Sequence, residues 1–481
     1  MTSMHRSRAA ALAITLSLVA MAGEASAQSY DAPSPNAEYS DALAIGDWLF
    51  RPSIEVRTQG ELRRNPFDAG GQSTTSGATT FTTPSSQVSS QWWVLSRSRV
   101  GLTADQGPFR VVVQVQDARA WGSLPPAQAD RRDSLPNTSV HLGYAELHGK
   151  GERASFLRLG RQEIRWGDGR LVGESDWSPT GRAFDAIRGV AVAGAWDFDA
   201  FASVLASPGA LPPELRRGGT GGAEGTGSQL YGLRAAWRLS PKLKVEWNNL
   251  GRVVREPSIG GAPPSDLVLS GVRLSGEIKR FSYAAEGAYE LGRKATIGAV
   301  ENLRAFAGTA RAEFTTGLPG RIGIGAQGSY ASGRKDTPVK ADGSNDTRFD
   351  PMLPDARGPH GPMGLYAWSN VMEAAGLLRF TPIAESRVTL GYRYVALAEP
   401  SDTWATASSI SVGRDAANTS RTLGHEVDAG AEYSPWAPLK IAFGYGAFLT
   451  GSGAKNILEA SGRGRPNLQH YGYLQLTLRA P

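Results

Sequence analysis

Read as hydrophobic and polar positions, the chain repeats one unit. A run of about ten residues alternates apolar and polar, a short turn follows, a second run alternates, and a long polar connection closes the unit. In Arg110 to Gln116, Val111, Val113 and Val115 oppose Arg110, Gln114 and Gln116. Leu243, Val245 and Trp247 oppose Lys244, Glu246 and Asn248, and Leu474, Leu476 and Leu478 oppose Tyr473, Gln475 and Thr477. Successive side chains of a strand face opposite ways, so each run has one apolar face and one polar face.

About eighteen such runs are counted, a number within the range of membrane barrels. They begin near Ser53, Ser89, Phe109, Ser139, Ala154, Ala186, Ala195, Leu230, Lys242, Leu267, Phe281, Leu303, Arg321, Val371, Arg387, Gly424, Leu439 and Tyr471. Short connections such as Asp105 to Pro108 and Ser240-Pro241 alternate with long ones at 65–88, 122–138, 206–229, 331–370, 399–423 and 450–470. The pattern predicts an all-β fold: a transmembrane antiparallel β-barrel with short periplasmic turns and long extracellular loops. A soluble β-sandwich gives no reason for that alternation. Trp196, Trp237, Phe281, Phe314, Phe380, Tyr433 and Trp436 flank short turns, as an interfacial girdle requires. The Gly-rich run 218–227 reads as a mobile outer loop, and 331–370 is long enough to fold inward and narrow the pore.

The ends and composition fit an exported protein. Arg6 and Arg8 precede an apolar stretch from Ala9 to about Gly23, and Ala25-Ser26-Ala27 forms a small-residue cleavage site. Residues 1–27 are therefore expected to be a signal peptide, 28–52 a periplasmic tether, and 53–481 the barrel in the outer membrane of a diderm bacterium. Past Gln28 no apolar run reaches the roughly 18 residues of a spanning helix. There is no cysteine, so stability must come from a large hydrogen-bonded sheet and not from disulfide staples. A net charge of +6 is too modest and too dispersed for a nucleic-acid binder.

Catalytic chemistry is absent from the pattern. No HExxH, CxxC, phosphate-cradling loop or Gly-x-Ser-x-Gly elbow occurs, and the six histidines lack ligand spacing. No enzyme activity, metal or cofactor is expected. Asp197 and Asp199 share a strand face and read as wet lumen or rim residues. What remains is arginine. Alternation places Arg57, Arg97, Arg99, Arg110, Arg158, Arg234, Arg238, Arg273, Arg387 and Arg393, with Lys244, on polar faces. Glu55, Glu146, Glu246, Glu277 and Glu286 are candidate partners.

The stretch Leu157 to Arg188 is the densest in charge. It reads as a wall strand to Ile164, an extracellular hairpin connection from Gly167 to Arg182, and a returning strand carrying Asp185 and Arg188. Arg161, Glu163 and Arg165 join the lumen if Gly160 forms a bulge that flips the alternation. The conducting set is thus Arg97, Arg99, Arg110, Arg119, Arg158, Arg161, Arg165, Arg188, Arg234, Arg273 and Arg393, with Asp117, Glu146, Glu163 and Asp185 as acidic partners. Rings of arginine select anions and grip carboxylates through paired hydrogen bonds. The same arginines can instead form a ladder with the glutamates that only holds the barrel in shape.

Several motifs resemble the alginate-export family of outer-membrane proteins. They are Val113-Gln114-Val115-Gln116-Asp117-Ala118-Arg119 with Trp121-Gly122, Leu159 to Ile164, Gly167 to Gly173, Asp176-Trp177, Gly181-Arg182, and Phe184-Asp185 with Arg188. The resemblance implies an eighteen-stranded monomeric barrel with an electropositive lumen. It also implies export of an anionic polysaccharide fed by periplasmic components. The leading expectation is therefore a passive channel for an anionic, alginate-like exopolysaccharide or another anionic solute, surrounded by outer-membrane lipid. The alternative is a porin taking up small anionic or aromatic and apolar solutes.

Overall fold

The structure, a computed structural model, describes residues 42–480 apart from 66–71, 77–78, 84–89, 123–136, 152, 206–227, 255–263, 297–298, 336–344, 356 and 410. All of them fall in one compact unit, Glu38–Pro481. The signal peptide, most of the tether and the Gly-rich run 218–227 lie outside the described residues.

Among the described residues one sheet holds twenty strands, of which Leu43–Ile45 and Asn345–Asp346 are short additions. The other eighteen close into a barrel. In chain order they are β1 (Trp48–Arg64), β2 (Ser90–Gln106), β3 (Phe109–Gly122), β4 (Asn137–His148), β5 (Phe156–Gln162) and β6 (Phe184–Ala193). Next come β7 (Trp196–Val204), β8 (Ser228–Ser240), β9 (Leu243–Val254), β10 (Ser265–Ile278), β11 (Phe281–Thr296) and β12 (Ala299–Thr315). The last six are β13 (Gly323–Ala331), β14 (Val371–Phe380), β15 (Ser386–Ala396), β16 (Thr422–Trp436), β17 (Leu439–Thr450) and β18 (Leu468–Ala480). Each pairs antiparallel with its sequence neighbours, and β1 closes on β18 from Ile54↔Ala480 to Arg64↔His470. Closure leaves no sheet edge, which lets polar backbone sit in lipid.

The alternation decides which face meets lipid. On β1, Ile54, Val56 and Leu62 are exposed, while Glu55, Arg57, Gln59, Glu61 and Arg63 are buried inside. A barrel turned inside out relative to a soluble protein is the form in which such strands satisfy both solvents. Trp237, Phe281, Phe314, Tyr433 and Trp436 are exposed at the short-turn end, where Trp196 stacks on Trp237 at 5.3 Å. Trp92, Trp121, Tyr289, Phe306 and Tyr445 form a second exposed set toward the long connections.

The hydrophobic core lies inside the ring. Trp166, Val172, Phe349, Leu365, Trp368 and Trp404 belong to one buried cluster, and all come from connections folded inward. The helix α1 (Ser452–Ala460), in the last long connection, adds Ile457 and Leu458.

Candidate functional site

Two connections cross the lumen. The first, L3 (163–183), joins β5 to β6. The second, L7 (332–370), joins β13 to β14. At one point L3 meets β1 and β2: Arg57 Nη1 donates to the Asp176 carbonyl at 2.6 Å, and Arg97 Nη1 to Asp176 Oδ1 at 2.7 Å. At another, Trp166 Nε1 donates to Asp199 of β7 at 2.9 Å, and a Cβ on Gly167 would touch the Arg273 side chain of β10 at 3.3 Å. Strands β1 and β10 are nine apart in a ring of eighteen, so L3 reaches from one wall to the opposite one. L7 runs from Arg252 of β9, which holds Asp350 at 3.1 Å, to Glu61 of β1, which holds Arg357 at 3.2 Å.

The two connections brace each other. Leu353 N donates to Leu171 O at 3.0 Å and Gly173 N to Leu353 O at 3.1 Å. Arg165 binds Glu174 at 2.7 Å and Asp355 at 2.9 Å. Arg182 Nη1 donates to the carbonyls of Gly173, Leu353 and Pro354 at 2.8–2.9 Å. The stretch Gly167 to Arg182, expected as an extracellular hairpin connection, is therefore a crossbar inside the barrel. Its charges find partners inside the barrel, Asp176 on the wall and Glu174, Asp168 and Arg182 within L3 and L7, and a charge taken out of bulk water needs one. Inward folding of 331–370 is as the sequence allows.

Most expected arginines line this lumen, and each has an acidic partner. Arg97 bridges Glu55 at 2.9 Å and Asp176 at 2.7 Å, with 1% of its side chain exposed. Arg99 lies 3.9 Å from Glu163 and 3.8 Å from Asp176. Arg110 binds Asp105 at 2.6 Å, and Arg158 binds Glu146 at 2.7 Å while covering the Tyr144 ring. Arg188 and Arg234 share Asp199 at 2.8 and 3.6 Å. Arg273 sits between Glu246 at 3.5 Å and Glu286 at 3.7 Å. Glu373, Glu426 and Asp428 converge on Arg393. Neighbouring strands thus exchange charge pairs around the wall.

Three assignments change. Arg119 and Asp117 pair with each other at 2.7 Å, in phase with the lipid-facing Val113 and Val115, while Gln116 and Ala118 point in. They form a rim pair outside the lumen. Gly160 has a left-handed φ of 119°, yet the pairing of β5 with β4 and β6 stays in register through it. No bulge flips the alternation. Arg161 instead sits opposite Asp185 and binds it at 2.9 Å, one residue out of phase with the inward Arg158 and Gln162. Arg165 and Glu163 reach the interior as members of L3, Glu163 by way of buried His141 at 2.8 Å.

Other groups were outside the reach of alternation. Asp176, Arg170, Asp168, Arg357 and His360 lie in L3 and L7, where no period operates. On β12, Arg311 is an inward cation with no acidic group within ion-pair distance among the described residues.

The crossbar groups differ in proton affinity. Burial pushes the Glu163 carboxyl up to about 7 despite Arg99, and burial likewise lifts Glu174 to about 7 against Arg165. Burial would raise Asp176 too, but Arg97, Arg57 and Arg99 outweigh it and hold this carboxyl well below the usual range. Burial keeps His360 neutral. Among the described residues no group of His, Asp and Glu side chains is arranged to hold a metal ion.

The fold and the sequence both have relatives. OpdQ of Pseudomonas aeruginosa superimposes with a TM-score of 0.54 at 12% identity, covering 90% of this chain and 98% of OpdQ. OccK5 (OpdH) of the same organism gives 0.53 at 10% identity over 89% and 98% of the two chains. OccAB2 of Acinetobacter baumannii gives 0.52 at 10% identity over 89% and 98%. At such identities these likenesses bear on fold alone. No curated protein matches the chain. The sequence profile described as "Alginate export" matches residues 72–463. This outer-membrane β-barrel channel belongs to the alginate export family.

Proposed function

We propose that the channel carries an anionic, alginate-like exopolysaccharide outward, and that the cations at the L3 crossbar steer it. One observation supports this reading above the others. Arg57, Arg97 and Arg99, each 1–5% exposed, converge on Asp176, whose own side chain is 40% exposed. A carboxylate of a passing uronate can take the place of Asp176 against rigid guanidinium groups that are already desolvated and oriented. Several weak sites in series let a polymer advance without being trapped. The chain works as a passive conduit, as one barrel, fed by periplasmic partners.

A second reading, uptake of small anionic solutes, is favoured by the two crossbars, which narrow the lumen from opposite walls. Reversal potentials across planar bilayers test the shared premise. Cation selectivity that Arg97→Ala and Arg99→Ala leave unaltered would sink it. Secreted polysaccharide and solute uptake in a deletion strain then separate the two readings.

A further inference from the structure

The lipid-facing wall carries charge as well as apolar side chains. On β11 the outward face runs Tyr289, Leu291, Arg293, and on the returning β12 it runs Asn302, Arg304, Phe306, with the two strands in register. Tyr289 and Phe306 stand opposite each other at 47% and 52% exposure, and Phe306 stacks on Tyr330 of β13 at 5.3 Å. These rings belong to the outer aromatic set, and such a belt marks the border between hydrocarbon and headgroups. A strand rises about 3.4 Å per residue, so Arg304 stands about 7 Å beyond Phe306 and Arg293 about 14 Å beyond Tyr289, measured along the strands.

Both arginines are exposed, and neither has an acidic group within ion-pair distance among the described residues. The register sets them diagonally, Arg304 facing Leu291 and Arg293 facing Asn302. Diagonal neighbours lie about 7–8 Å apart, a gap that two long side chains close over one ligand. Asp266 stands opposite Arg293 on β10 but makes no ion pair with either arginine. The arrangement recurs across the ring, where the barrel closes. Arg64 is exposed one step beyond Leu62 and its partner Trp92. It faces His470 of β18, whose Nδ1 shares a hydrogen bond with the Tyr445 hydroxyl at 2.6 Å.

Arg119 of β3 gives the contrast. It lies one step nearer the middle of the membrane than Trp121, and it carries its own carboxylate, Asp117, at 2.7 Å. An outward cation at the level of hydrocarbon needs a partner from the protein. One just past the border can take its partner from the lipid. What the outer leaflet of a diderm outer membrane offers at that height is a phosphorylated glycolipid. A phosphate monoester has a charge of about −1.5 to −2 and three acceptor oxygens, which arginine meets through parallel N–H bonds.

We infer that Arg293 and Arg304, with Arg64 on the far side of the ring, bind the phosphate groups of the outer-leaflet glycolipid and set the depth at which the barrel sits. This surface faces away from the lumen. It rests on the outer-membrane location and not on what the channel conducts.

The test uses the folded full-length barrel in detergent. Wild type, Arg293→Gln with Arg304→Gln, Arg64→Gln, and Arg119→Gln are each incubated with diphosphoryl lipid A, dephosphorylated lipid A or phosphatidylglycerol. Retained lipid is counted by native mass spectrometry, with inorganic phosphate as competitor. Wild type should retain diphosphoryl lipid A in preference to the other two, and equimolar inorganic phosphate should not displace it. Each of these arginines removed should lower retention about fivefold, the weight of one basic side chain near an anionic membrane surface. Arg119→Gln should retain as much as wild type. The reversal potential of the double variant in planar bilayers should stay at the wild-type value, which verifies an intact pore. An intact double variant that retains lipid A as wild type does overturns the site. So does equal retention of dephosphorylated lipid A or phosphatidylglycerol, and displacement by equimolar inorganic phosphate makes it an ion site with no lipid specificity. Cation selectivity of the wild-type pore would remove the anion-export reading and leave this surface standing.

Discussion

Replacing Asp176 with Asn should make the channel more anion-selective. The substitution removes one negative charge from the crossbar and keeps an oxygen for Arg97 Nη1, 2.7 Å away. L3 stays in place, because Arg57 still holds the main-chain carbonyls of residues 176 and 178 at 2.6 and 2.9 Å. Asp176 is ionised throughout the accessible pH range, since three arginines hold its proton affinity down. The change is therefore a full unit of charge. Its side chain is 40% exposed, so water screens it, and the bulk value applies. Two unit charges 4 Å apart in water interact by about 1 kcal/mol. An anion at that distance gains this much and a cation loses it, a swing of about 2 kcal/mol, so the anion-to-cation permeability ratio should rise about thirtyfold. The assay is the reversal potential of single channels in a KCl gradient. The shift should shrink between 0.1 M and 1 M salt, as the screening length falls from about 10 Å to about 3 Å. A properly folded Asp176→Asn channel with an unchanged potential, or one shifted toward cations, would refute the assignment of this site as the conducting step.

Other outcomes follow from the same geometry. Glu163 and Glu174 are neutral below about pH 7 and charged above it, because burial raises both. Anion selectivity should therefore fall between pH 5.5 and 8.5 (the span flanking that midpoint), and Glu163→Gln should flatten the curve. The same sign makes the stability these raised carboxyls contribute largest at low pH and lost as pH passes 7, which urea unfolding in detergent at two pH values can check. Gly160→Ala places a Cβ 2.3 Å from the Gly143 carbonyl at a left-handed φ, so at least about 1–3 kcal/mol of strain should appear as a lower fraction of heat-modifiable, folded barrel. Arg119→Ala should leave both selectivity and stability essentially unchanged, because its ion pair with Asp117 is an exposed one. Arg97→Met, by contrast, strands two carboxylates near the lumen wall and should destabilise the barrel by up to about 3–5 kcal/mol in the same unfolding assay.

Alternation made the wall legible. Phe109, Phe281, Val371 and Leu439 begin strands where the pattern places them, and the eighteen-strand closure follows. Period two has physical force here because one face must be apolar to meet lipid, so an error of one residue would put Arg97 or Glu246 in hydrocarbon. The first strand starts at Trp48, earlier than Ser53, because Pro52 interrupts the polar pattern but not the pairing with Leu102. The rule failed where the chain leaves the wall. Nothing periodic in 163–183 says whether it turns outward into water or inward across the pore. The available signal was chemical: a stretch this rich in Arg, Asp and Trp is poorly suited to an exposed loop tip and well suited to a wall that already carries opposite charges. Gly160 misled for a related reason. A glycine in a strand marks either a bulge or a close backbone approach, and here the Gly143 carbonyl makes it the second.

An arginine ladder in which most rungs are paired need not be inert, and exposure separates the rungs. Arg158 and Arg110 meet Glu146, whose side chain is only 3% exposed, so a passing solute has no access to the acceptor and cannot displace it. Arg188 and Arg234 meet Asp199 at 0% exposure and are closed in the same way. At the crossbar the order is reversed, with the cations buried and the carboxylate of Asp176 open to the lumen. On the proposed reading, exchange of one carboxylate for another there would break and make equivalent bonds, which would keep the barrier to moving on low. On the same reading, the buried rungs would keep the ring rigid enough that Arg57, Arg97 and Arg99 do not relax away when Asp176 is displaced. Selectivity in this view is carried by few arginines and shape by many. Arg→Met changes at 158 or 188 should then lower barrel stability while leaving the reversal potential of the surviving channels where it was, a division that uniform participation of the ladder does not allow.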